Sequence, residues 1–145
     1  MRRAQGFALA ALVLGCLAGC GGSRGSFAAG ANAVWSTIPV RKDFAYEQAW
    51  DALFERLVTD FEPWFVSRAD GYFRSDWTHT WSGRYQADYR VRLSVKFAPD
   101  RKQLRLRCEA QKWEPKQKIW VPGTDPELLR TIKTDVMGIV GTTTR

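Results

Sequence analysis

Residues 85–113 read YQADYRVRLSVKFAPDRKQLRLRCEAQKW. In the first half Tyr85, Ala87, Tyr89, Val91, Leu93, Val95 and Phe97 alternate with Gln86, Asp88, Arg90, Arg92, Ser94 and Lys96. A period of two marks a strand with one buried and one wetted face. Ala98-Pro99-Asp100-Arg101 supplies turn residues, after which Leu104, Leu106, Cys108 and Ala110 alternate with Arg105, Arg107, Glu109 and Gln111. Two such strands joined by one turn predict a long antiparallel hairpin with an apolar face and a charged face.

The flanking segments extend this sheet and cover it. Residues 64–68 and 72–78 read as strands around Asp70-Gly71, a strong hairpin signal. A looser turn at Trp81-Ser82-Gly83 leads into the long strand. Upstream, in residues 43–61, Tyr46, Trp50, Leu53, Leu57 and Phe61 recur at steps of three and four, with Phe54 and Val58 widening the stripe; Asp43 is a candidate N-cap and Pro63 closes the far end. Residues 114–124 read as a loop with Pro115, Pro122 and Gly123, in which Ile119-Trp120-Val121 is either a short strand or an apolar plug. Asp125 or Thr124 caps a last helix that begins at Pro126, carries Leu128, Leu129, Ile132, Val136, Ile139 and Val140 as its stripe, and stops at Gly141. Residues 34–40 read as a short leading strand in which Pro39, lacking a ladder donor, predicts an edge position or an early stop. The expected fold class is α+β: two layers, a four-strand antiparallel meander packed on an N-terminal and a C-terminal helix.

The first 33 residues are of another kind. Met1-Arg2-Arg3 precedes an uncharged apolar run over residues 7–17, the length of a secretory signal core and too short to span a bilayer. Residues 21–33, GGSRGSFAAGANA, are rich in Gly, Ala and Ser and read as a flexible tether. The expected organisation is a signal peptide over 1–19, a modified Cys20 with its tether over 20–33, and one α+β domain over 34–145. Loss of Arg2 and Arg3 with the signal takes the basic count from 22 to 20 and the net charge from +7 to +5. A moderately basic surface suits anionic partners, and export makes nucleic acid an unsuitable one.

Leu17-Ala18-Gly19-Cys20 resembles the lipobox of bacterial lipoproteins at every position. The resemblance implies cleavage between Gly19 and Cys20, a diacylglyceryl group on the Cys20 thiol, and acylation of the new amine. Cys16 is then discarded and Cys108 remains as the single thiol, read as a small buried hydrophobe rather than a reactive group. Gly21, where an Asp would resemble an inner-membrane retention signal, implies transfer to the outer membrane. Lipobox, tether, aromatic-rich helix, meander and closing helix together resemble the BamC-type lipoproteins of the outer-membrane β-barrel assembly machinery, over residues 35–140. That likeness implies a helix-grip domain, a sheet wrapped on a helix, and a non-catalytic module that binds a protein partner. BamC-type proteins carry two such domains and a long N-terminal arm; this chain has length for one.

No catalytic set stands out. His79 is the only histidine, and Asp76 is the one carboxylate close to it in sequence, so neither catalytic nor metal-ligating residues are assigned and no cofactor is expected. A phosphate loop is missing from the sequence. Seven tryptophans include Trp77, Trp81, Trp113 and Trp120 near strand ends, placed for rim packing or for stacking on a sugar. The candidate docking face is Arg90, Arg92, Arg105 and Arg107, four guanidiniums expected side by side on the wetted face of the hairpin and only partly neutralised by Asp88 and Glu109. The expected function is a membrane-anchored envelope lipoprotein with a non-catalytic binding or scaffold domain. The alternatives are a periplasmic binder of an anionic ligand or glycan and, third, a hydrolase. Replacing Cys20 by Ala is expected to abolish incorporation of labelled fatty acid and to release the chain from the outer-membrane fraction; normal labelling of that variant would refute the lipobox reading.

Overall fold

A computed structural model of the chain describes residues 26–81 and 84–142. The signal segment, Gly19 and Cys20 lie outside the described residues. The elements in order are β1 (Ala28–Ala29), β2 (Ser36–Pro39), α1 (Tyr46–Asp60), β3 (Pro63–Ser67), β4 (Tyr72–Ser75), β5 (Thr80–Trp81), β6 (Arg84–Tyr85), β7 (Tyr89–Phe97), β8 (Gln103–Glu114), β9 (Ile119–Thr124) and α2 (Pro126–Val140). The architecture is α+β, an antiparallel sheet carrying two helices.

The sheet is larger than the expected four-strand meander. Seven strands join it: β1, β9, β8, β7, β4 and β3 in that order, with β2 also on β8, while β5 and β6 form a separate two-stranded ribbon. Three strands account for the difference: β2, which falls within the leading segment 34–40, and two more, β9 and β1. Residues 119–124, ambiguous in sequence between plug and strand, pair with β8 from Glu109↔Thr124 to Glu114↔Ile119 after a turn in which Lys118 takes φ 55°. The segment read as tether contributes β1, with Ala28↔Thr124 and Ala29↔Gly123. Gly30 then donates to the Pro122 carbonyl at 2.8 Å, so residues 28–30 pair with the sheet ahead of Val34.

The long hairpin forms as its alternation predicts, but β7 begins at Tyr89. One cross-strand bond continues the register beyond Tyr89, Trp113 N–H to the Asp88 carbonyl at 2.7 Å, but residues 86–88 turn away: Gln86 N–H donates to the His79 carbonyl at 2.9 Å, and Tyr85 is placed in the small ribbon opposite Thr80. From there the register runs without a slip, Tyr89↔Lys112 through Phe97↔Leu104. Tyr89, Val91, Leu93, Val95 and Phe97 on β7 and Leu104, Leu106, Cys108 and Ala110 on β8 are all buried on one face.

Both helices cover that face. Helix α1 starts at Tyr46, with Ala45 as its N-cap and Gln48 Oε1 accepting Ala45 N–H, whereas Asp43 turns away to a 2.5 Å ion pair with Arg41. It buries Ala49, Trp50, Leu53 and Leu57; Trp50 packs on Phe97 at a centroid distance of 6.2 Å, and Phe54 meets Phe73 edge-on. Helix α2 buries Ile132, Val136 and Val140. Its N-cap, Asp125, is itself buried and accepts Leu128 N–H at 2.9 Å, Tyr89 O–H at 2.6 Å and Ser26 O–H at 2.7 Å. One carboxylate thus ties the helix start, the first residue of β7 and the N-terminal segment together. Gly71, at φ +64°, allows the β3–β4 turn; a side chain there would collide with Arg101 and with Phe97 Cβ.

Trp50→Ala is expected to cost about 3–5 kcal/mol through the cavity it leaves, and Val91→Asp at least as much through an unpaired buried charge. Denaturant unfolding of each variant measures this, and an unchanged midpoint in either would contradict the face assignment.

Candidate functional site

The polar face of the sheet is a grid, and the β7–β8 register sets its columns. Arg90 lies opposite Gln111, Arg92 opposite Glu109, Ser94 opposite Arg107 and Lys96 opposite Arg105. Strand β4 adds Arg74 beside Ser94 and Tyr72 beside Lys96. The four arginines singled out from sequence do share one face, but no two of them are direct cross-strand partners. The turn of residues 98–102, with Ala98 N–H to Gln103 O at 2.8 Å and Arg101 at φ 60°, staggers them so that each arginine faces a residue able to accept a hydrogen bond or, for Arg105, a lysine.

Nor is the face a bare solvated ladder. Arg92 holds Glu109 in a two-pronged pair, Nε to Oε2 at 3.0 Å and Nη2 to Oε1 at 3.1 Å, and Arg90 does the same to Gln111 Oε1 at 2.9 and 2.6 Å. Arg107 and Arg74 approach the same Glu109 Oε2 at 3.6 and 3.7 Å. Burial pushes the Glu109 carboxyl up, but the hydrogen bonds from Arg92 and the charges of Arg92, Arg107 and Arg74 together outweigh it and hold the group below the ordinary glutamate range. Burial, with the neighbouring Arg92 charge, lowers the Arg90 guanidinium, while Asp76 acts in the opposite sense. Asp88, expected to share in the neutralisation, sits exposed in the turn before β7.

Tryptophan rings cover the guanidiniums. Arg90 Cζ lies 4.1 Å from the Trp120 centroid and 4.9 Å from Trp77, and Arg92 lies 4.4 Å from Trp77. Arg107 meets Trp35 at 5.0 Å and Arg74 meets Trp64 at 5.5 Å. Each such contact is worth about 0.5–2 kcal/mol, depending on how far the cation is desolvated, and it replaces hydration that the crowded cations lose. Trp77 and Trp120 therefore act on the arginines, and Trp113 packs against Trp120 at 5.5 Å. Trp35, Trp64 and Arg74 belong to the same grid and escaped the sequence reading. For Arg74 the signal was its place between Phe73 and Ser75; for the two tryptophans, which lie outside the long hairpin, only the packing reveals it.

A groove of about 330 Å³ opens on this face, lined by Trp77, Arg92, Arg107, Glu109 and Gln111 and by the chain at 31–33. Its origin is topological. β9 covers one edge of β8 from Glu109 onward, β2 covers the same edge only as far as Leu106, and β1 lies outside β9. The chain joining β1 to β2 must step across that break, and residues 31–33 wall the groove as it does so.

The remaining candidates fall elsewhere. His79 Nδ1 is 3.0 Å from the Gln86 carbonyl oxygen, and its ring packs between Tyr85 and Trp120 at 5.9 and 5.6 Å. Cys108 is fully buried, and desolvation pushes its thiol up to about 12, which removes nucleophilic character near neutral pH. Among the described residues no three His, Cys, Asp or Glu side chains gather as metal ligands, and no helix is long and apolar enough to cross a membrane. Comparison with protein-family models and with curated proteins yields no match.

Because the Glu109 carboxyl is held low in the folded chain, it contributes stability that is present above its unfolded value and lost as pH falls through the folded value. Glu109→Gln is expected to destabilise the protein by about 1–3 kcal/mol at neutral pH, since Arg92 loses its paired carboxylate, and to flatten the acid limb of the stability curve. Urea unfolding of wild type and variant across the acid range checks both; an identical acid limb in the two would show that Glu109 is not the titrating group.

Proposed function

We propose that this chain is a bacterial envelope lipoprotein, anchored in the outer membrane through Cys20, whose α+β domain is a non-catalytic binding module with a helix-grip-like arrangement. The sequence carries the anchor reading: a charged start, an apolar run and Leu17-Ala18-Gly19-Cys20. The likeness to BamC-type proteins supports an envelope-assembly or scaffold role with a protein partner. Two helices on one face of an antiparallel sheet are in keeping with a helix-grip domain and leave the other face free to bind.

The observation that carries the binding reading is the imbalance on that free face. Arg74, Arg92 and Arg107 converge on the single carboxylate of Glu109, with Arg90 and Arg105 in adjoining rows. A partner with anionic groups would offset the excess, and arginine meets such groups in two-pronged geometry. The groove beside Trp77 favours a second reading, a binder of an anionic small ligand or glycan, since it pairs cations with an aromatic wall in a concave site. Catalysis has less support, because His79 is spent on a backbone carbonyl and an aromatic cluster.

The test spares Arg92, which holds Glu109. Replacing Arg90, Arg105 and Arg107 by Gln in the lipidated protein is expected to weaken capture of the partner recovered from solubilised envelope by tenfold or more, and raising the salt concentration should mimic the loss. If this variant captures the partner as wild type does while His79→Ala does not, the basic face is not the binding surface.

A further inference from the structure

Three donors without acceptors stand in one row across the sheet. The register places Arg74 of β4 beside Ser94 of β7, and Ser94 beside Arg107 of β8, at the strand spacing of about 4.8 Å. Ser94 is fully buried, yet its Oγ has no hydrogen-bond partner, and the Nε atoms of Arg74 and Arg107 are likewise buried and unpartnered. Single unpaired groups of this kind are uncommon in native proteins, and three on neighbouring residues call for a ligand.

Glu109 does not fill that role. Its Oε2 already accepts from Arg92 at 3.0 Å, and the Nη2 atoms of Arg107 and Arg74, at 3.6 and 3.7 Å, are beyond hydrogen-bond reach. Three guanidiniums on one carboxylate leave two positive charges in excess. The three donor atoms are themselves covered, so a ligand reaches them only when the side chains of Arg74 and Arg107, which keep 25% and 28% of their surface exposed, swing aside; Arg107, which lines the groove, marks the way in. Trp64 and Trp35 lie on the outer flanks, each against one of the two arginines.

We propose that Arg74, Ser94 and Arg107 form a binding site for a tetrahedral oxyanion, the phosphoryl or sulfuryl group of an ester ligand, with Arg74 Nε, Ser94 Oγ and Arg107 Nε each donating to a different oxygen. A tetrahedral group offers acceptors in three directions, whereas a carboxylate offers two oxygens in one plane. The near-double negative charge of a phosphoryl monoester matches the excess that Glu109 leaves, whereas a sulfuryl ester carries one charge and offsets half of it. The site rests on the reading of the polar face as a binding surface and specifies the chemical group that surface takes.

The experiment uses the full chain in detergent micelles with ¹⁵N-labelled arginine side chains. Inorganic phosphate, sulfate and a hexose phosphate are titrated at constant ionic strength against acetate and chloride, and in a separate arm lipid vesicles carrying a phosphomonoester headgroup are added. Saturable shifts of the Nε–H resonances of Arg74 and Arg107, assigned through Arg74→Lys and Arg107→Lys, are expected with the tetrahedral anions, and acetate should bind at least tenfold more weakly. Ser94→Ala, which removes one donor and little volume, should weaken phosphate binding about tenfold with an unchanged melting curve. If that variant proves unstable, the weakening of the phosphate-dependent Arg74 Nε–H shift in Arg107→Lys carries the same test, and an undiminished Arg74 response there would overturn the site. A response to hexose phosphate identifies a soluble ligand, and a response to vesicles alone identifies a lipid headgroup. Shifts that never saturate, or acetate equal to phosphate, or full affinity in Ser94→Ala would overturn the site. Partner capture that persists without any saturable phosphate shift would remove this site and leave the docking face standing; saturable phosphate binding in a chain whose partner capture ignores the arginines would do the reverse.

Discussion

The pairing of β7 with β8 in a single register is the constraint on which the rest of this protein depends. Nine consecutive partners, Tyr89↔Lys112 to Phe97↔Leu104, align two alternating strands so that every apolar side chain on β7 meets the core. Because alternate residues point to opposite faces, a slip of one residue in either strand would carry Val91, Leu93 and Val95 into water and bring arginines under the helices. The energetic penalty for that is comparable with the whole net stability of an ordinary domain, since each fully buried aliphatic side chain contributes about 1.5–3 kcal/mol, and burying the arginines adds to it. Burial on one face therefore dictates the order of charges on the other.

That order explains how so many cations are tolerated. Strict alternation places arginine at positions 90, 92, 105 and 107, and the turn then decides whether they stand opposite each other or opposite acceptors. The observed stagger puts Glu109 across from Arg92 and Gln111 across from Arg90. Indole rings from four separate elements or loops then lie against the guanidiniums, taking the place of water on their flat faces. The face is consequently half-buried and preorganised, unlike a solvated surface whose arginines would lose side-chain freedom on meeting a ligand.

The long β8 strand has a second consequence. At twelve residues it outreaches any single neighbour, so β2 and β9 share one of its edges with a break between Leu106 and Glu109. The chain between β1 and β2 crosses there and forms one wall of the groove, while Asp125 pins the preceding residues through Ser26. A segment with few side chains able to bury area is held by backbone pairing and by one buried carboxylate rather than by a hydrophobic face of its own.

Most of the scaffold was legible because it rests on local periodicity. The stripes of α1 and α2, the Asp70-Gly71 turn and the alternation of residues 89–113 each state which side of an element is apolar, and a single core leaves those sides one place to go. Element ends were less legible where another bond wins over the pattern, as when Gln86 donates to the His79 carbonyl and draws the chain before Tyr89 into the small ribbon, or when Asp43 pairs with Arg41 and leaves Ala45 to cap α1. The strand that escaped, Ala28–Ala29, and the one left open between strand and plug, Ile119–Thr124, contain glycine, alanine and proline or lie next to them, and exist because an unpaired edge of β8 or β9 offers backbone partners. Of the polar face, the sequence marks Arg90, Arg92, Arg105 and Arg107 as sharing a side, since alternation is local. Which residue faces which, the recruitment of Arg74, Trp35 and Trp64, and the row of open donors through Ser94 were decided only by the fold, because cross-strand neighbours are set by register and topology, which bring together residues dozens of positions apart.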